Sequence, residues 1–598
     1  MHFSLQLLLT LLISVTSVVA DFSGPSYPPP TDLTSNHSLV AAGWHNVTST
    51  LETYLKNQTF SSTTAAALKN VTFSVGLFSL HDPAAVKLQF HHTSPEVANA
   101  ANGTHKVDGD SIYRLASVSK LFTVFAGLLE LKDADWNRPF TDIVPDFADF
   151  ARKHPDNDPV HIVQWDKVTP SALAAQIAGV PRDPESGSDI LASYLAAQAL
   201  GEVSLDPTAQ GFPPVNKSDP FEFTPCSTVN TSICTADLFV ESVDSRPPTF
   251  QPWTSPAYSD IGFALLGLAI SNITGKSIDQ VYRGSIFDPL GLSSSNSSNP
   301  PESEWHRAVI PAGPLDNFIY PEDVFVSSGG LSSTTNDLAR FGVGILNSTL
   351  LPPDQTRKWM KPVAFTGRLD YAVGRLWEIM RYVHPSGHIT DIYPKSGNSG
   401  LYSTWMVLLP DYNAGFDVLV AGTSTSRYQA TQLIADVVTN TILPALQAQA
   451  GVEAGRKFAG TYTSTTPGIN SSLTVIYNQT AIAAPGLVVS SWISNGTDML
   501  SGLRTAVGAT PGRLLPTVAN LETGQQAFRL VGSVDAPSAR LPGQLFSGPG
   551  YLGADWIGVD DLTYGGLAVG LLVFDIGSDG TATAASPAAF RTTLRRAA

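Results

Sequence analysis

Two hydrophobic patterns divide the chain. From Val71 to Leu80 apolar residues alternate with small ones, the period of a half-buried strand, and Ala85 to Phe90 reads as a second strand. A hairpin turned at His81-Asp82-Pro83 is therefore predicted. Leu121 to Leu131 is apolar almost throughout, which suits a helix covered on every side, and Ile261 to Ile270 is another such run. Tyr402 to Leu409 reads as a strand. Past Gln447 to Gly455 the character changes. Leu473 to Tyr477, Leu487 to Ile493 and Leu567 to Phe574 are short runs rich in β-branched and aromatic residues, split by Gly, Pro and Asn-Gly turns. They predict an all-β domain over residues 456–598, with no repeat period that would make it a propeller.

The N-terminus follows another logic. Leu5 to Val19 is apolar but too short to span a bilayer, and Val18-Val19-Ala20 offers small residues for cleavage before Asp21, so residues 1–20 read as a signal peptide. Secretion, with no membrane anchor, is the expectation. Residues 21–69 are an N-terminal arm that begins Pro/Ser/Thr-rich, and residues 183–256 have little periodicity and read as an insertion. The chain has 598 residues, 43% hydrophobic and 14% charged, enough for a large core and more than one ordinary domain. Its net charge of -16 comes without a basic cluster, which argues against nucleic acid as a partner.

Glycosylation sequons begin at Asn36, Asn46, Asn57, Asn70, Asn102, Asn216, Asn230, Asn272, Asn296, Asn347, Asn470, Asn478 and Asn495, as on a secreted surface. The only cysteines, Cys226 and Cys234, lie in a polar Pro/Ser/Thr stretch of the insertion. An oxidising compartment would join them as a local staple, expected on a rim loop and not in the core.

Candidate chemistry opens just before the first apolar run. Ser117-Val118-Ser119-Lys120 puts a hydroxyl and an amine on neighbouring positions of one helical face, and burial beside Leu121, Phe122, Val124 and Phe125 should lower the amine pKa until it can take the serine proton. Tyr258-Ser259-Asp260 then precedes Ile261, and Lys395-Ser396-Gly397 precedes the strand at Tyr402. This succession, S-x-x-K, Y-x-N-like, K-[ST]-G, resembles the serine β-lactamase and penicillin-binding-protein superfamily, nearest its class C and esterase-like branch. Val168 to Arg182, Ile286 to Leu292 and Ser328 to Thr334 are similar to further family segments in the same order.

The resemblance implies an α+β fold over residues 70–445, an antiparallel sheet flanked by helices plus a helical lobe, with the all-β domain appended and the insertion rimming the active-site mouth. It implies an acyl-enzyme at Ser117, Lys120 and Tyr258 as bases, Lys395 flanking the phenol, Ser396 and Asn398 at the substrate, and an oxyanion site made by the N–H groups of Ser117 and Asn398 where Gly397 permits close approach. Asp260 departs from the usual Asn. It accepts but cannot donate, and beside Lys120 it favours the charged ammonium, which puts β-lactam turnover in doubt. No cofactor and no metal are expected, since the histidines lack ligand spacing. The expected activity is hydrolysis of an ester, lactone or amide of a small molecule or peptide. The alternatives are acyl transfer through the same residues and a non-catalytic binding protein.

Overall fold

The computed structural model describes residues 24–56, 68–153, 158–182, 190–199, 204–216, 226, 234–244, 246–311, 315, 318–319, 324–478, 484–507, 510–520, 522–533 and 559–597. Residues 1–20, Asn57 and Asn230 lie outside them. The described residues form two compact units, one within Leu33–Arg381 and Asp391–Leu443 and one of Tyr382–Thr390 with the described residues of Met1–Asp32 and Pro444–Ala598.

The first unit starts with α1 (Leu39–Lys56), so the expected N-terminal arm is in part a helix, with Val40, Trp44, Val47 and Leu51 inward. An eight-stranded sheet follows from β1 (Thr72–Ser79), β2 (Gln89–His92), β3 (Pro362–Phe365), β4 (Tyr371–Gly374), β5 (Glu378–Val383), β6 (Ile389–Ser399), β7 (Tyr402–Leu409) and β8 (Ala414–Ala421), in the order β2-β1-β8-β7-β6-β5-β4-β3. The central pairs are antiparallel, and β1, β7 and β8 are buried at every position because both faces of the sheet are covered. The first hairpin differs from expectation. Residues Pro83–Lys87 form a 3-10 turn, since Asp82 accepts from Ala84 N at 3.0 Å and Pro83 takes the first helical position. The second strand therefore begins only at Gln89.

Both apolar runs are helices: α2 (Ser119–Glu130) and α3 (Asp260–Thr274). Every residue of α2 from Ser119 to Gly127 is buried, with Phe122 stacked on Phe341 at 4.0 Å and Phe125 on Trp359 at 5.4 Å. Residues 327–331 are strapped to it: Thr123 Oγ1 donates to Ser327 O at 2.6 Å and Ser119 Oγ accepts from Leu331 N at 3.0 Å. The helix α4 (Thr335–Leu346) packs on β1 and β8.

The cysteines do pair, but not on a polar rim. Cys226 and Cys234 are 0% and 2% exposed and belong to the core of the first unit. The reason is the short helix Ala236–Val243 just after them, whose Phe239, Val240 and Val243 turn inward, Phe239 meeting Phe325 edge-on at 5.5 Å. The Pro/Ser/Thr composition concealed this apolar anchor.

The long helix α5 (Arg427–Phe458) enters the second unit, whose sheet is built from β9 (Gly460–Thr463), β10 (Ser472–Ile476), β11 (Leu487–Ser494), β12 (Thr497–Asp498), β13 (Thr510–Asn520), β14 (Gln525–Ser533), β15 (Leu571–Ile576), β16 (Ala582–Pro587) and β17 (Leu594–Arg596). The nine strands run β10-β9-β17-β16-β15-β14-β13-β11-β12, and a further β10 to β11 pairing closes the sheet on itself, with the two-residue β12 paired to β11 outside that closure. Phe458, Tyr462, Phe528 and Phe574 fill its core. The described residues of the domain are mostly in strands, as expected, and include the helix α6 (Met499–Val507).

Candidate active site

Ser117 lies in a 3-10 turn, Ala116–Val118, that runs directly into α2. Ala116 has φ of +47°, a region a residue with a Cβ seldom occupies and one that costs about 1–3 kcal/mol. Its surroundings hold it there: Leu115 N donates to Leu331 O at 2.9 Å, and Thr404 Oγ1 donates to Leu115 O at 2.7 Å. The first helical hydrogen bond runs from Val118 N to Leu115 O, so the Ser117 N–H precedes the ladder and can serve a ligand.

Lys120 is wholly enclosed. Its ammonium donates to Ser117 Oγ at 2.9 Å, to Ser328 O at 2.6 Å and to Asp260 Oδ1. Asp260 is the first residue of α3, where the helix N-terminus favours a carboxylate, and Ser259 caps the helix by accepting from Gly262 N at 2.8 Å. All three ammonium protons thus have acceptors, one of them the serine oxygen.

Tyr258 lies among cations. Lys120 Nζ is 5.2 Å from its ring centroid, Lys395 Nζ 5.1 Å and Arg182 Cζ 5.0 Å. Lys395, on β6, is as enclosed as Lys120 and donates to Glu378 Oε1 at 2.6 Å and Ser396 O at 2.7 Å. Burial by itself would lower the Lys395 pKa, but the Glu378 charge, Tyr258 and Asp260 outweigh it and hold the ammonium above its ordinary value. Glu378, on β5, also accepts from Ser396 N at 3.0 Å and Ser396 Oγ at 3.1 Å, so the Ser396 hydroxyl is engaged by protein. Two further phenols, Tyr371 and Tyr428, are raised by burial and then by the Glu378 charge.

Gly397 fits where no other residue does. A Cβ there would lie 2.4 Å from Leu115 O and 3.0 Å from Ser117 N, so its lack of a side chain brings β6 against the Ser117 turn. Asn398 turns its side chain away: its Oδ1 accepts from Ser403 Oγ at 2.7 Å and Arg427 Nη2 at 3.2 Å.

The structure thus gathers Ser117, Lys120, Tyr258, Asp260, Lys395, Ser396 and Gly397, with Asn398 following at the strand edge. Sequence reasoning missed Glu378, although a glutamate between Trp377 and Ile379 in a strand was a readable signal. It also gave Arg182 and Ser328 no role. The described sequon asparagines are exposed except Asn296, which is half-buried with its backbone bridged to Ser332.

Residues 84–439 match the family model Beta-lactamase, and residues 450–598 match one described as Beta-lactamase-like-like, C-terminal domain. The chain is 30% identical to a Beta-lactamase-like protein of Arthroderma benhamiae, covering 94% of this chain and 93% of that one. It is 26% identical to Probable hydrolase clz13 of Cochliobolus lunatus, over 96% of this chain and 91% of that one. With D-alanyl-D-alanine-carboxypeptidase/endopeptidase AmpH of Escherichia coli it shares 26% identity over 40% of this chain and 70% of that one. An identity of 30% running nearly end to end, with the Beta-lactamase model spanning residues 84–439, establishes that the chain belongs to the β-lactamase family.

Proposed function

We propose that the protein is a secreted serine hydrolase that forms an acyl-enzyme at Ser117 on an ester, lactone or amide of a small molecule or peptide. The observation that carries this reading is the Ser117 oxygen held at 2.9 Å by a buried ammonium while an aromatic hydroxyl side chain lies beside the same ammonium. The proton of the attacking hydroxyl passes to Tyr258, whose ring lies beside the Lys120 and Lys395 ammonium groups. The Ser117 oxygen bonds to the acyl carbon, the carbonyl electrons move onto oxygen, and the N–H groups of Ser117 and Asn398 hold that oxyanion. The tetrahedral adduct collapses, the acyl–heteroatom bond breaks, and Tyr258 returns its proton to the leaving group. Water then repeats the sequence and frees Ser117.

The relative in Escherichia coli is named for carboxypeptidase and endopeptidase activity, which keeps peptides within the proposed substrate range. Asp260 argues for esters over amides, because a carboxylate supplies no donor to an amide carbonyl. A secretory route is supported by the apolar run Leu5 to Val19 and by exposed sequons such as Asn36, Asn102 and Asn347, and loss of mass on enzymatic deglycosylation of secreted protein tests it.

The deciding experiment is labelling by a fluorophosphonate probe with Ser117→Ala as control, followed by turnover of p-nitrophenyl esters, nitrocefin and D-Ala peptides. Labelling lost in Ser117→Ala supports the reading. A wild-type chain that neither labels nor turns over any of these is a binding protein of this fold. Products that appear only when an added alcohol or amine accepts the acyl group point to acyl transfer.

A further inference from the structure

We infer that Arg182 selects acyl donors that carry a carboxylate a few bonds from the reacting carbonyl. The inference rests on the reading of Ser117 as the acylated residue and narrows its substrate class. Of the three cations around Tyr258, two are spent within the protein. Lys120 gives its protons to Asp260, Ser328 and Ser117, and Lys395 is held by Glu378 and the Ser396 carbonyl. The Arg182 guanidinium has no ion pair or hydrogen bond among the described residues, and the residue is exposed.

Its backbone, in contrast, is clamped. Arg182 O accepts from Asp260 N at 2.8 Å and Ile261 N at 3.3 Å, Pro181 O from Ser259 Oγ at 2.6 Å, and Gly179 O from Thr249 N at 2.8 Å. The chain that carries the guanidinium is therefore tied to the N-terminus of α3, two residues from Tyr258, while the fork itself is free to receive a ligand. A planar fork with five donors matches a carboxylate bidentately, which an ammonium cannot do.

The charge count at the site agrees. Among the described residues, Lys120, Lys395 and Arg182 face Asp260 and Glu378 alone, which leaves one positive charge in that set, in a chain whose net charge is -16. The other arginine near the strand edge, Arg427, already donates to Ser403 Oγ at 3.0 Å, Gly422 O at 2.9 Å and Asn398 Oδ1 at 3.2 Å. Lys395 could receive a substrate anion only by giving up Glu378. Arg182 is the cation that can do so at no such cost.

The test compares two esters that differ by the charge, p-nitrophenyl butyrate and p-nitrophenyl hydrogen succinate, in wild type, Arg182→Gln and Arg182→Lys. The wild type should favour the succinate in kcat/KM by about tenfold, the size of a charge-assisted hydrogen bond, and added salt should shrink the preference. Arg182→Gln should abolish the ratio through KM, and Arg182→Lys should keep part of it. A ratio unchanged in Arg182→Gln overturns the inference, as does a wild type that prefers butyrate. Binding of monomethyl succinate to the Ser117→Ala chain, with and without Arg182→Gln, reads the anion site without catalysis. If it binds, and Arg182→Gln prevents it, while neither ester is turned over, the hydrolase reading fails and Arg182 stands. Turnover of both esters with binding and ratio insensitive to Arg182→Gln sinks Arg182 and leaves the hydrolase. Absence of binding together with absence of turnover overturns both.

Discussion

Lys120 and Lys395 are two lysines flanking one tyrosine ring, with side chains 0% and 1% exposed, each closed by a carboxylate. Their surroundings give them different work. Lys120 sits three residues after Ser117 on the helix the serine introduces, and it touches the oxygen proposed to react. Its carboxylate comes from far along the chain, at the start of α3. Lys395 touches Glu378 and its own strand, and Glu378 in turn grips the backbone and hydroxyl of Ser396. One ion pair is wired to Ser117; the other fastens the strand that forms the opposite wall. Burial beside the Tyr258 ring therefore does not by itself tie a cation to Ser117, and what it donates to decides.

The largest expected effect breaks the pair apart. Lys120→Met should slow fluorophosphonate labelling of Ser117 by about a thousandfold or more, as for a member of a catalytic unit, whereas Lys395→Met should slow it by no more than about a hundredfold. Equal losses would mean that contact with Ser117 does not set the two lysines apart. Stability should run the other way. Lys395→Met strands Glu378 without a cation and should lower unfolding stability by about 3 kcal/mol in urea titrations. Lys120→Met should cost less, since Asp260 keeps 22% exposure and the helix N-terminus.

A smaller effect separates the two carboxylates. Asp260→Asn restores a donor at the site and removes a negative charge, so hydrolysis of an amide such as nitrocefin should rise relative to a p-nitrophenyl ester by about tenfold. Glu378→Gln, which lies behind Lys395, should move that ratio by less than about threefold. A larger shift for Glu378→Gln than for Asp260→Asn would reverse the assignment of which carboxylate faces substrate. The smallest effect is in pH. The folded-state pKa of Lys395 is raised, so its stabilisation is complete below the unfolded lysine value of about 10.4 and is lost as pH rises through the folded value. The stability gap between wild type and Lys395→Met should be flat from about pH 8 to about pH 10 and narrow above it, by no more than about 1.4 kcal/mol per pH unit. A gap that widens on the alkaline side would show that Glu378 does not hold the proton on Lys395.

What could be read from the sequence was whatever lay next to itself along the chain. Ser117 and Lys120 are neighbours on one helix, Tyr258 and Asp260 start another, and Lys395 to Gly397 end a strand, so each motif was tied to an apolar run that fixed its element. Glu378 was hidden because its partner lies across the β5–β6 hairpin, and Arg182 because a carbonyl clamp, not its own pattern, brings it to Tyr258. The spacing of Val40, Trp44, Val47 and Leu51 was legible as a helix face and went unread. The cysteines misled for the opposite reason: their polar neighbours spoke for a surface loop, while the apolar anchor lay in the helix that follows. The strand expected from Ala85 failed where Asp82 and Pro83 made a local turn stronger than the alternation after them.

Gly397 carries a consequence for how this site can change under selection. The atoms that exclude a side chain there include the Leu115 carbonyl oxygen and the Ser117 amide nitrogen, which every genotype keeps whatever its side chains. No compensating substitution elsewhere can make room without moving the nucleophile turn. A library randomised at positions 396 and 397 and sorted for turnover should therefore return many residues at the first and glycine alone at the second. Substrate range can then drift through Ser396, Arg182 or Asp260, but along the Gly397 axis the protein has no neighbouring functional sequence to step to.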